Sequence, residues 1–273
     1  CILQDSLGFM WFGTQVGLNR FDGYTFNHYK HNSQDPHSLS GNDIEAVIED
    51  RQGILWVGTT GGLNKYDRHQ DRFTRYQNLP KDPSSLSSNS VTAIYEDSTG
   101  ELWIGTSGGG LNRFDREKDQ FIRYSHNPND PSNLSNNMIK VIFEDKKGIL
   151  WIGTMIGLNR FDRQKGKFTC YFHNPNNPHT LSDDAVSTIF EDSKGQLWVG
   201  TPGNGLNRFE RERESFVRYQ HHPDNPQSLS SDFIFSIAED QSGTLWIGTV
   251  NGLNRLDKEN AEAGIIIFSR YFY

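Results

Sequence analysis

The sequence predicts an all-β fold, a six-bladed β-propeller of four-stranded antiparallel blades. Tryptophan occurs six times, at Trp11, Trp56, Trp103, Trp151, Trp198 and Trp246, about 47 residues apart, each in a W-φ-G-T word where φ is Val, Ile or Phe. Each word is followed by G-L-N-[RK], from Gly17-Leu18-Asn19-Arg20 to Gly252-Leu253-Asn254-Arg255. Each is preceded by D-x-x-G, from Asp5/Gly8 to Asp240/Gly243. A period of roughly 40 to 50 residues is the mark of a solenoid or a propeller. Repeats that share one period build one array, so residues 1–273 read as a single domain.

One repeat shows why each element is expected. Ile44-Glu45-Ala46-Val47-Ile48-Glu49 is short, largely apolar and partly β-branched, the pattern of an inner strand. Asp50-Arg51-Gln52-Gly53 suits a type I turn, with Asp at the first position and Gly at the fourth. Ile54 to Thr59 is then the second strand. Gly58 weakens a strand unless something approaches it closely. It shares a face with Trp56, so a neighbouring sheet's side chain is expected over it. Leu63 to Asp67 is the third strand, Arg68 to Asp71 a polar hairpin, and Arg72 to Tyr76 the fourth strand. Four short strands with two apolar faces describe a propeller blade. A solenoid with one or two strands per repeat would need a shorter period, and no 3.6-residue apolar pattern supports helices.

The connector from Gln77 to Asn89 is Pro, Asn, Asp and Ser around Leu86, and it recurs with Leu39, Leu134, Leu181 and Leu229. It fits a crossover from one outer strand to the next inner strand, plugged by the leucine. His31, His126, His173 and His221 open four connectors. They would lie a blade apart, which favours structural loop histidines over metal ligands. Stacking blades buries both faces of each. One buried Trp of roughly 200 Å² contributes on the order of 5 kcal/mol at most.

Composition narrows the function. Charged residues are 22% and the net charge is -7, so no basic stripe offers itself to nucleic acid. No apolar run is long enough to cross a membrane; the longest cluster, Ile265 to Phe268, is strand-sized. Cys1 and Cys170 occupy different places in the repeat, so no repeated disulfide framework exists. Cys1 aligns with a strand position, no signal peptide precedes it, and the chain is expected to be a fragment. The last hairpin is lengthened by Lys258 to Gly264. The chain enters on an inner strand and leaves on an outer one, so no spare strand completes a shared blade.

L-W-[IV]-G-T, G-L-N-R-[FY]-D, F-x-x-Y and the N-P-x-[DN]-P-x-S-L-S connector together resemble the two-component regulator propeller repeat. The resemblance covers essentially the whole chain. It implies the extracytoplasmic sensor region of bacterial hybrid histidine kinases and related signalling proteins, hence a periplasmic or extracellular location. Many such regions contain two seven-bladed propellers, and some sense oligosaccharides. This sequence holds six repeats and no kinase, linker or membrane segment.

Chemistry is hard to find. A catalytic group is needed once, whereas the repeated residues suit a scaffold. Glu49, Glu96, Glu144, Glu191 and Glu239 end inner strands and read as a solvated carboxylate ring, with a metal or acid/base site as the alternative. No D-x-D-x-D-G, HExxH or GxSxG word occurs. No cofactor, no metal and no catalysis are expected. The informative positions are those where the repeats disagree. The turn after W-φ-G-T holds Gln15, Met155, Ile156, Asn204 and Asn251 in different repeats. The residue before the inner-strand apolar position is Asp43, Ser90, Met138, Ala185 or Phe233. Both sets fall at one end of the channel. Random drift in loops is one reading. The other is a ligand face, with Phe233, Phe235, Met138, Met155 and Ile156 as apolar platforms and Asn and Asp nearby, a composition that suits an oligosaccharide or peptide. The opposite face, with Arg116-Glu117-Lys118-Asp119, reads as plain solvated surface. The expected function is therefore a sensor propeller that binds a ligand or partner, with self-association through a parent protein. A protein-interaction scaffold and, less favoured, a propeller lyase or hydrolase are the alternatives.

Overall fold

The computed structural model describes residues 1–257 and 266–272, so the lengthened hairpin from Lys258 to Gly264 lies outside the described residues. Their regular structure is strand throughout, in six four-stranded sheets. The first holds β1 (Ile2–Gln4), β2 (Met10–Thr14), β3 (Gly17–Phe21) and β4 (Phe26–Tyr29). The second holds β5 (Ile44–Glu49), β6 (Leu55–Thr59), β7 (Gly62–Asp67) and β8 (Arg72–Tyr76). The third holds β9 (Val91–Glu96), β10 (Leu102–Thr106), β11 (Gly110–Asp115) and β12 (Gln120–Tyr124). The fourth holds β13 (Ile139–Glu144), β14 (Leu150–Thr154), β15 (Leu158–Asp162) and β16 (Lys167–Tyr171). The fifth holds β17 (Thr188–Glu191), β18 (Leu197–Gly200), β19 (Leu206–Glu210) and β20 (Ser215–Tyr219). The sixth holds β21 (Ile234–Glu239), β22 (Leu245–Thr249), β23 (Gly252–Leu256) and β24 (Phe268–Tyr271). In every sheet the strands lie in chain order. This is a six-bladed β-propeller fold with one repeat per blade.

The D-x-x-G turn is held by its aspartate. The Gly53 amide donates to the Asp50 carbonyl at 2.8 Å, and Asp50 Oδ1 accepts the amides of Gln52 and Ile54. Gly53 has φ 76°, a region where a Cβ is unfavourable, which is why this position is glycine. The other carboxylate oxygen, Oδ2, accepts the Trp56 indole Nε1 at 2.8 Å. All six repeats make this Asp–Trp bond, at 2.6 to 3.0 Å. The buried indole thus has its one polar atom satisfied.

The residues divide into two compact units. The first, Cys1–His126 with Asn137–Ile142, contains the first three sheets. Within it, Trp11 meets Tyr66 edge-on at 5.3 Å and Trp56 meets Phe114 at 5.3 Å, each across to the following sheet. A Cβ on Gly58 would lie 2.6 Å from Val91 Cγ1, and one on Gly13 2.7 Å from Ile44 Cγ2. These glycines admit the side chain that opens the next inner strand, as the sequence predicts. The second unit, Asn127–Asn136 with Phe143–Tyr273, repeats the arrangement. Trp151 meets Phe209 at 5.1 Å, and Trp198 packs with Leu256 and Phe268.

The connectors are tied down as firmly as the strands. Leu39, Leu86, Leu134, Leu181 and Leu229 are fully buried. The Asn of each G-L-N word accounts for much of this. Buried Asn64 accepts the Ser40 amide at 2.8 Å and donates to the Val57 carbonyl at 3.0 Å. Arg75 on β8 donates to the Ser38 carbonyl at 2.7 Å, and Arg123, Arg218 and Arg270 act likewise. His31, His173 and His221 each place Nδ1 2.7 Å from the carbonyl of the connector leucine. In the second repeat Asn78 makes the same bond at 2.8 Å. These side chains close the connector.

Candidate functional site

Among the predicted site residues, Gln15, Asp43 and Met138 lie in the first unit, and Met155, Ile156, Asn204, Phe233 and Asn251 in the second. In each unit, turn and inner-strand start meet as the spacing predicts. Thr60 donates its amide to the Asp43 carbonyl at 3.2 Å, and Ser107 bridges Met138. In the second unit Phe233 is held from two sides. It bridges Pro202 of the preceding blade's turn, and its carbonyl accepts the amide of Val250 at 3.2 Å. Backbone pairing fixes the position of these residues and leaves their side chains projecting outward.

Gln15, Met138, Met155, Ile156, Asn204, Phe233 and Asn251 are exposed, and Asp43 is half-buried. Phe233 leaves 49% of its surface in solvent. Asn204 donates through Nδ2 to Asp183 Oδ2 at 2.7 Å, so its carbonyl end is the freer one. Asn251 is more loosely held, with Nδ2 3.4 Å from the Ser230 carbonyl.

One further residue, Asp183, belongs to this end as the partner of Asn204. Phe235, which the sequence places here, is 62% exposed. The register skips it, since Ile234 pairs with Thr249 and Ser236 with Gly248. The corresponding bulge in the second blade skips Glu45. At this position in the third and fifth blades, Thr92 and Ser187 donate to Ile139 and Ile234 carbonyls at 2.8 and 2.7 Å. Phe235 cannot make that bond. A bulge re-aims one side chain, and here that side chain is Phe235.

The opposite end corrects the sequence reading. The strand-end glutamates are not a solvated ring. Glu49 accepts the Ser6 amide at 2.6 Å and the Arg68 guanidinium at 2.7 Å. Arg68 also reaches Asp5 at 2.8 Å. Arg116 joins Asp50 at 2.8 Å and Glu96 at 3.1 Å, and Arg211 joins Asp145 at 2.7 Å and Glu191 at 2.8 Å. One Arg therefore clips its own sheet's Glu to the Asp of the sheet before it. Arg116 sits in the hairpin read as plain surface, where Glu117, Lys118 and Asp119 are indeed exposed and Lys118 pairs with Asp115 at 3.2 Å. The reason is physical: a carboxylate buried against the next blade needs a cation and amide donors to replace water.

A family model described as two component regulator propeller matches residues 38–61, 85–108, 133–155, 180–203 and 228–251. Each match runs from the S-L-S connector through the inner strand to the turn after W-φ-G-T. Histidine kinase P4 of Formosa agariphila is 51% identical over 39 residues, 14% of this chain and 3% of that protein. The extracellular domain assigned to the hybrid two component system BT3049 of B. thetaiotaomicron is 30% identical, with a TM-score of 0.79 over 100% of this chain and 34% of that one. The corresponding BT4673 domain, at 22% identity and a TM-score of 0.65 over 100% of this chain and 43% of that one, shows the fold alone. The chain therefore spans less than half the length of each of these relatives. Five matches to one repeat, in step with the Trp-centred sheets of the second to sixth blades, show that these blades are built of two component regulator propeller repeats.

Proposed function

We propose that this chain is the sensor propeller of a bacterial signal-transduction protein, located in the periplasm or outside the cell, and that it binds rather than catalyses. The similar extracellular domain of a hybrid two component system supports the setting. The binding surface is the end of the blades where turns meet inner-strand starts. The observation that carries this is Phe233, pinned between two turns yet half exposed, with Phe235 and the Asn204–Asp183 pair in the same unit. Apolar platforms beside amide and carboxylate groups suit an oligosaccharide or a peptide. Occupation of this surface would be passed to an output domain by the parent protein, with self-association as one route.

A thermal-shift screen against oligosaccharides and short peptides tests it, because a ligand raises the melting midpoint by mass action. With a hit in hand, Phe233→Ala and Asn204→Ala should weaken binding about tenfold or more while moving the midpoint by only a few degrees. Lys118→Ala should change neither. Loss of binding in Lys118→Ala alone would place the site at the other end.

A further inference from the structure

The second unit carries negative charge at the binding end that its scaffold does not require. One position of the repeat, just before the inner strand, holds Asn42, Asn89, Asn137, Asp184 and Asp232. All five do the same structural work. An Oδ1 accepts the amide of His31, Asn78, His126, His173 or His221, which opens the connector, at 2.6 to 2.8 Å. Their placement is also the same. A Cβ on Gly110 would lie 3.1 Å from Asn137 Oδ1, and one on Gly205 would lie 3.2 Å from Asp232 Oδ1. A neutral amide therefore serves in three blades, and Asp184 and Asp232 add a charge beyond that duty.

Asp183 adds a third carboxylate, where Gly41, Ser88, Asn136 and Ser231 stand in the other repeats. Its Oδ2 accepts Asn204 Nδ2 at 2.7 Å. Asn204 belongs to the turn Pro202-Gly203-Asn204. On the other side of that turn Phe233 bridges Pro202, and the Asp232 carbonyl accepts the Gly205 amide at 2.9 Å. Asp183 and Asp232 thus flank one turn, beside the half-exposed Phe233 ring. No Lys or Arg offsets them. Segments 127–136, 172–187 and 220–233 and turns 155–157, 202–205 and 250–252 contain neither residue. Arg218 and Arg270 reach the connectors but are committed to the Thr180 and Ser228 carbonyls, at 2.8 and 2.7 Å. His173 and His221 place Nδ1 on connector carbonyls. The connectors of the first unit, by contrast, carry Lys30 and Lys81.

We propose that the ligand of this end carries a protonated amine, held by Asp183 and Asp232 beside Phe233, and that ligands bearing carboxylate or sulfate are turned away. This rests on the binding reading above and names the chemistry it selects. Two independent features point the same way. Carboxylates form their strongest hydrogen bonds with charged donors, and the exposed faces of Phe233 and Phe235 attract cations. A patch of one sign without countercharges repels ligands of that sign. An amino sugar and a lysine side chain both supply the amine.

Calorimetric titration with two matched pairs tests this: diglucosamine against its N-acetylated form, and a blocked Gly-Lys-Gly peptide against its Nε-acetylated form. At least one amine should bind about tenfold tighter than its acetylated partner, and which one does so assigns the source as sugar or peptide. Asp183→Asn and Asp232→Asn should each weaken that amine severalfold and leave the acetylated form unchanged. The melting midpoint should hold in Asp232→Asn, because asparagine fills that position in three blades. Equal binding of an amine and its acetylated partner, both weakened by Phe233→Ala, overturns the choice of amine and keeps the binding end. Amine binding that survives both Asn variants and Phe233→Ala overturns the location as well. Failure of both amines to bind at millimolar concentration also overturns the proposal.

Discussion

Trp56 illustrates how one residue type serves two interactions at once. Its ring fills the space between sheets, and its indole nitrogen is anchored to the turn aspartate. Trp56→Ala should cost about 3 to 5 kcal/mol, because the cavity is enclosed on both sides. Trp246→Ala should cost about half as much or less, since the residue is half-buried and its site can rehydrate. Urea melts of both variants decide this, and equal losses would contradict the packing described. Cys170 stands on β16 where β8, β12, β20 and β24 carry arginine. Its Sγ lies 3.3 Å from the Asn133 carbonyl, and burial pushes the thiol up to about 11. The thiolate is the reactive form. Iodoacetamide at pH 8 should therefore label exposed Cys1 well before Cys170, as read by peptide mass spectrometry.

At the scale of the element, the hairpin between first and second strands is the joint of the structure. Asp50 organises its own turn, orients Trp56 and receives Arg116 from the next sheet. Asp50→Ala would leave the Trp56 indole without its acceptor and Arg116 with Glu96 but no Asp50 carboxylate. Breaking such a buried pair costs about 3 to 5 kcal/mol, far more than an exposed ion pair. Asp240→Ala should destabilise much less, because Asp240 is exposed. The comparison of midpoints between the two variants isolates the value of the inter-sheet clip from that of the turn. The other end of each strand is built differently. There the backbone makes the contacts and the side chains vary, as at Met138 and Phe233.

Across the whole molecule, the carboxylates set the acid limit of stability. Burial alone would raise Asp5, but the hydrogen bonds from Trp11 and Arg68 outweigh it and hold the carboxyl below its ordinary value of 3.8. Asp71 is likewise lowered: burial is outweighed by the hydroxyls of Tyr66 and Tyr29. A group depressed in the folded state stabilises above its unfolded pKa, and that contribution is lost as pH falls through the folded value. The melting midpoint should stay level from pH 8 to about 5 and drop steeply below about 4. The tyrosines set the opposite limit. Burial pushes Tyr171 up to about 12 from 10.0, so its contribution is complete below pH 10 and lost as pH rises toward 12. A calorimetric pH series reads both edges; a midpoint that falls between pH 7 and 5 would assign the acid limit to other groups.

The period of the tryptophans, the strands around them, the D-x-x-G turns and the buried connector leucines were all legible in the sequence, because each depends on residues close together in the chain. The end of the blades where repeats differ was legible too, since Gln15, Asp43, Met138, Asn204 and Phe233 vary against a constant frame. A ligand is not written in that variation. Charged residues of the opposite end looked like surface because their partners are far away in sequence: Arg116 and Asp50 are 66 residues apart. The sequence also places Phe235 at this end, but the bulge that re-aims it shows only in the register. Trp246 reads in the sequence as the equal of Trp56. Only the tertiary structure leaves its face open, because burial of a sheet is decided by what packs against it and not by its own residues.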